Sequence, residues 1–131
     1  MRCYLAHPVT DYGGTARQRR AIELIELCGM EVVSPDAPHH GVQYLMRGMG
    51  YFVELVRECD ALAFMRFPDG SVGAGVAREI RTALAEGMPV YDTDHGMSRV
   101  SQMPGSVLSV DETRALIKRL SSSPRDRATT E

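Results

Sequence analysis

Short β-like runs alternate with helix-like segments along this chain, and that alternation limits its folds more than any other feature. Arg2 to Ala6, Glu31 to Ser34, Ala61 to Phe67, Pro89 to Tyr91 and Ser106 to Val110 read as strands. Between them lie helical patterns. Thr15 caps a first helix that runs to about Cys28, where Gly29 stops it. Val42 to about Glu58 reads as a second helix, weakened by Gly48 and Gly50. Ala74 to Glu86 is a third, stopped by Gly87, and Asp111 caps a last helix ending near Leu120. Strands joined by helices of roughly 10–17 residues imply βαβ crossovers and a mostly parallel sheet covered on both faces. The expected fold is therefore a three-layer α/β/α, flavodoxin-like or Rossmann-like five-stranded sheet.

The chain has 131 residues, enough for one domain and little more. The expected domain is 1–120, with a polar, aperiodic, disordered tail at 121–131. A domain this small leaves an open cleft, so a working site is expected to be shared across a homo-oligomer. The hydrophobic fraction of 44% argues against disorder. The longest apolar runs, such as Ala61 to Met65, fall well short of the roughly 18–20 residues of a membrane helix. His7 and Pro8 interrupt the first apolar stretch, so no signal-peptide pattern is read there. The net charge of −2 gives no case for nucleic-acid polymers or anionic membranes as partners. Three cysteines without metal-ligand spacing suit a reduced, cytoplasmic compartment. Lys118 is the only lysine and sits in a charged late helix, which disfavours amine chemistry.

In parallel sheets ligands sit beyond the carboxyl ends of the strands. His7 to Gly14, Pro35 to Gly41 and Pro68 to Gly73 lie there and are rich in Gly, Pro, His and Asp. The run Asp69-Gly70-Ser71-Val72-Gly73-Ala74-Gly75 leads from a strand end into a helix start. Its backbone N–H groups can bind an anion or a ribose hydroxyl, although its spacing matches neither the dinucleotide nor the P-loop pattern. Glu79 follows on that helix. Its neighbours at three and four positions are Gly75, Val76, Thr82 and Ala83, with Arg78 and Arg81 expected to point elsewhere. A carboxylate over a small-residue groove suits a nucleophile or base. The competing explanation is a cation from another segment.

Tyr4 can orient that carboxylate or simply fill the core. His7, at the strand end, can meet a ligand or a loop. Arg17, Arg19 and Arg20 open the first helix against its macrodipole, which hints at an anion but also fits a solvated face with Glu23 and Glu26. His39 and His40 are adjacent and lack ligand spacing, so no metal is expected. Leu45, Met46, Met49, Tyr51 and Phe52 read as core or an oligomer interface, with a base-stacking wall as the alternative.

Together, Tyr4-Leu5-Ala6-His7-Pro8, the Gly73 to Gly75 loop, and Glu79, Ala83, Gly87, Pro89 and Val90 resemble the nucleoside 2-deoxyribosyltransferase-like superfamily, over roughly residues 2–92. The stretch Ala74-Gly75-Val76-Ala77-Arg78-Glu79 also looks like that of small uncharacterised bacterial and phage members of that superfamily. The resemblance implies a flavodoxin-like sheet and cleavage of an N-glycosidic bond through a covalent glycosyl-enzyme intermediate. Glu79 matches the nucleophile and Tyr4 the residue that orients it. It implies a nucleoside or nucleoside 5′-monophosphate as substrate, either sugar transfer or hydrolysis, no cofactor, and an oligomer whose neighbouring subunit completes the site. His7, Asp69, Ser71, Gly73 and Gly75 are the expected substrate contacts. The position six before Glu79, Asp in the transferases and Ser in the nucleotide hydrolases, is Gly73 here. Asp69, His7 and Asp11 remain alternatives for protonating the leaving base. Two readings compete with an enzyme: a non-catalytic nucleotide-binding or sensing module on the same scaffold, and an oligomeric scaffold with a vestigial site.

Overall fold

The computed structural model of the protein describes residues 1–36 and 50–121. Its strands are β1 (Arg2–Ala6), β2 (Glu31–Val33), β3 (Ala61–Phe64), β4 (Val90–Asp92) and β5 (Ser98–Val100). Its helices are α1 (Ala16–Leu27), α2 (Tyr51–Arg57), α3 (Ala74–Ala85) and α4 (Val110–Ser121). Short 3₁₀ turns occupy Val9–Asp11 and Thr93–His95. The sheet order is β2-β1-β3-β4-β5, with all pairings parallel except β4 with β5. This is the flavodoxin-like order, whose direction of winding reverses between β1 and β3. The expected α/β fold is therefore present.

Period-two alternation divides the central strands between two helical layers. Cys3 and Leu5 of β1, with Ala61 and Ala63 of β3, pack on Ala21 and Ile25 of α1. Tyr4 and Ala6, with Leu62 and Phe64, face Leu55 and Val56 of α2 and Val76, Ala77 and Ile80 of α3. Both strands are buried on both faces, which is why they read as continuous apolar runs.

The helix boundaries follow local chemistry. The Thr15 side chain accepts from the Gln18 N–H at 3.1 Å and starts α1. Gly29 (φ 83°) and Gly87 (φ 71°) adopt the left-handed conformation that ends α1 and α3. The cap of α4 is Ser109, not Asp111. Ser109 Oγ accepts from the Glu112 N–H at 3.1 Å, and Glu112 Oε1 accepts from the Ser109 N–H at 2.9 Å.

The fifth strand is also displaced from its expected place. Ser98–Val100 is the antiparallel edge strand. The Ser106 to Val110 segment instead forms one parallel bridge, Val72 with Val107, and then enters α4. Tyr51–Arg57 is the described part of the expected second helix. Its earlier portion, with Leu45, Met46 and Met49, and the loop residues His39 and His40 lie outside the described residues. Ser121 closes α4, and the rest of the expected tail also lies outside them. Among the described residues no helix is long and apolar enough to cross a membrane.

Candidate active site

A cleft of about 950 Å³ opens at the carboxyl edge of the sheet. Its described walls come from the loop after β1 (His7, Pro8, Val9, Tyr12), the loop after β2 (Pro35, Asp36), α2, α3 as far as Arg81, and the start of α4. Residues after β1, before α3 and on α3 thus meet at the β1/β3 reversal, where the topology favours a ligand.

Glu79 is half-buried on the second turn of α3 and lines this cleft. The Tyr4 hydroxyl donates a hydrogen bond to Glu79 Oε2. Tyr4 is fully buried, its ring among the side chains between the sheet and α3. Glu79 therefore does have a partner from another segment, but it is a phenol and not a cation. Removal of water from the Glu79 carboxyl pushes its pKa up to about 8, against the opposing pulls of the Tyr4 hydrogen bond and the Arg78 charge. Burial, and then the Glu79 charge, hold the Tyr4 phenol far above its ordinary range, so Tyr4 stays a donor.

His7 lines the cleft and is fixed from behind. Its Nε2 lies 3.1 Å from Ser34 Oγ and its Nδ1 3.3 Å from the Pro8 carbonyl oxygen. Burial lowers its pKa and keeps the ring neutral. The Tyr12 ring meets His7 edge-on at 4.8 Å. Burial, with the nearby charges of Glu79 and Asp36, pushes the Tyr12 phenol up to about 12. Asp36 accepts from Ser34 Oγ, from the Gly13 N–H at 3.1 Å and from Gln18 Nε2 at 2.9 Å. Burial alone would raise its pKa, but these donors outweigh it and keep the carboxyl low.

Gly73 and Gly75 also line the cleft. Gly73 caps α3 without a side chain, so Thr113 of α4 substitutes for one: its Oγ1 accepts from the Ala74 N–H at 2.9 Å. That bond ties the two helix starts into one wall.

Asp69 and Ser71 are placed differently. Asp69 is exposed and accepts from both the N–H (3.0 Å) and the hydroxyl of Ser71. Those hydrogen bonds lower its pKa. The pair fastens the loop onto itself, and neither residue is among the described cleft walls. Asp11 is occupied by Thr15 Oγ1 at 3.0 Å and Arg17 Nη1 at 2.7 Å. The anion hinted at by Arg17 thus has an internal answer in Asp11.

The sequence reading missed Tyr12, Asp36 and Thr113 as walls of the cleft that Glu79 lines. Asp36 carried one usable signal, its position just after β2 at the carboxyl edge. Arg78 and Arg81 need a correction, since both line the same cleft as Glu79. Among the described residues no group of three or more His, Cys, Asp or Glu side chains could hold a metal ion. Comparison of the chain with protein-family models and with curated proteins finds no match.

Proposed function

We propose that the protein cleaves the N-glycosidic bond of a nucleoside or nucleoside 5′-monophosphate, with Glu79 as nucleophile. The observation that carries this reading is the Glu79 carboxyl, held by the buried Tyr4 hydroxyl on the wall of the cleft at the β1/β3 reversal. Glu79 attacks C1′, the C1′–N bond breaks, and its electron pair leaves with the base, which takes up a proton from water. Water or a second base then displaces the carboxylate from C1′. The transition state carries positive charge on the sugar. A carboxylate stripped of water gains most from such a partner, as its raised pKa indicates. At about 4 Å and an effective dielectric near 20 the attraction is worth roughly 4 kcal/mol, or about 10³ in rate.

Of the three alternatives for protonating the base, only His7 is on the cleft wall, and its imidazole is held neutral. The reading therefore rests on charge stabilisation by Glu79 more than on acid catalysis by a side chain. It also expects a second copy of the chain to close the cleft. Val9 and Val110, 53% and 52% exposed on its walls, are apolar surface suited to that contact.

The test is base release from a panel of nucleosides and nucleotides, followed by chromatography. Turnover that disappears in Glu79→Gln, and a glycosyl adduct mapped to Glu79 by mass spectrometry, are the expected results. Full activity in Glu79→Gln would overturn the assignment. Nucleotide binding without base release would favour the sensing module.

A further inference from the structure

Three arginines line the cleft beside Glu79: Arg78 and Arg81 on α3, and Arg114 on α4. All three are exposed at its edge. Among the described residues none of them forms an ion pair with a carboxylate. Arg17 is bound to Asp11, Arg57 to Glu86 and Arg66 to Asp92, while Arg19, Arg20 and Arg99 also form no ion pair among the described residues but do not line this cleft. The chain as a whole carries a net charge of −2, so this positive cluster is local.

Its arrangement is also informative. Arg78 and Arg81 are three apart on one helix and are surface neighbours. Arg114 enters from the other wall, which the Thr113 bond to Ala74 holds against the start of α3. Guanidinium groups on two walls of one cleft offer an anion contacts from both sides. The planar guanidinium fork matches phosphate oxygens in a bidentate way, and each such charge-assisted contact is strong.

We infer that the cleft takes a phosphate-bearing ligand, held by Arg78, Arg81 and Arg114. Resting on the glycosidic reading for the remainder of the ligand, this makes the substrate a nucleoside 5′-phosphate in preference to a nucleoside. The arginines then determine specificity by gripping the phosphate while Glu79 faces the sugar.

Isothermal titration calorimetry on the full chain tests this, with nucleoside 5′-monophosphates, the matching nucleosides and inorganic phosphate as titrants. The variants are Arg78→Gln, Arg81→Gln, Arg114→Gln and the triple combination, each with its fold checked by circular dichroism. The expected result is monophosphate binding at least about 10-fold tighter than nucleoside binding, lost stepwise in the variants, with nucleoside affinity unchanged. Equal affinity for both ligand forms, a preference that survives in the triple variant, or no nucleotide binding at all would overturn the inference. Inorganic phosphate binding as tightly as the monophosphate would also overturn it, by making free phosphate the ligand. The two proposals fail separately. Arginine-dependent nucleotide binding without base release supports the phosphate site and overturns the glycosidic reading. Base release from nucleosides and monophosphates at equal kcat/KM does the reverse.

Discussion

The Tyr4 hydroxyl donates to the Glu79 carboxylate across 75 positions of sequence, joining the first strand to the second turn of α3. The donor is rigid because Tyr4 is fully buried in the central sheet. The acceptor is rigid because Val76, Ile80 and Ala83, on the buried side of α3, anchor that helix to the same core. Two packed elements thus set the direction of one carboxylate before any ligand arrives, which is what a preorganised charge requires.

Tyr4→Phe separates that orientation from the packing. The ring stays in the core, so the expected loss of stability is about 1 kcal/mol, the worth of one hydrogen bond. Without its donor the Glu79 carboxyl titrates still higher than about 8. Base release should fall about 10- to 100-fold through kcat more than KM. Chemical denaturation together with steady-state kinetics checks both parts. Unchanged kcat would show that the hydroxyl serves only the fold.

Glu79 should make the protein less stable as pH rises. Its pKa moves from 4.5 to about 8 in the folded chain, so between those values the folded state holds a proton that the unfolded state has released. Stability is fully present below about 4.5, declines through this window, and levels off above about 8. At pH 7 the cost is at most about 3 kcal/mol. Glu79→Gln removes it, so the variant should be more stable than the parent at pH 7, with the difference vanishing near pH 4.5. Urea unfolding at the two pH values measures this, and equal stability at pH 7 would refute it.

The same proton governs rate. A nucleophile must be ionised, and the ligand-free protein is mostly protonated at Glu79 below about pH 8. kcat/KM should therefore rise about tenfold per pH unit and flatten above about 8. A profile that falls through that pH would assign Glu79 to proton donation.

The fold was legible where burial leaves a periodic trace. Cys3 to Ala6 and Ala61 to Phe64 are wholly buried, and their apolar runs mark the sheet centre. β5 left no such trace because Ser98, Arg99 and Val100 form an edge with polar, exposed positions. Its place depends on a turn through Gly96 and Met97, both left-handed, that reverses the chain beside β4. Val107 looked like strand because its segment is apolar, yet it makes only a bridge to Val72. Glu79 stood out because small neighbours surround it along its own helix. Tyr12, Thr113 and the arginine cluster did not, since α4 becomes the second wall only through tertiary packing on α3.

Two glycines near Glu79 should respond oppositely to alanine. A Cβ on Gly73 would lie 3.0 Å from the Phe67 ring and 3.4 Å from Thr113 Cγ2, at the point where Thr113 caps α3. Gly73→Ala must displace one of them, and should destabilise the fold by about 1–3 kcal/mol. A Cβ on Gly75 meets no protein atom within 4 Å, although the residue lines the cleft. Gly75→Ala should leave stability unchanged, or raise it by up to about 1 kcal/mol through helix propensity. Its methyl occupies space beside Glu79 that the ligand would need, so KM for the nucleotide should rise about tenfold. Thermal unfolding and ligand titration on both variants give the comparison. A Gly75→Ala protein with unaltered ligand affinity would exclude this part of α3 from the contact surface.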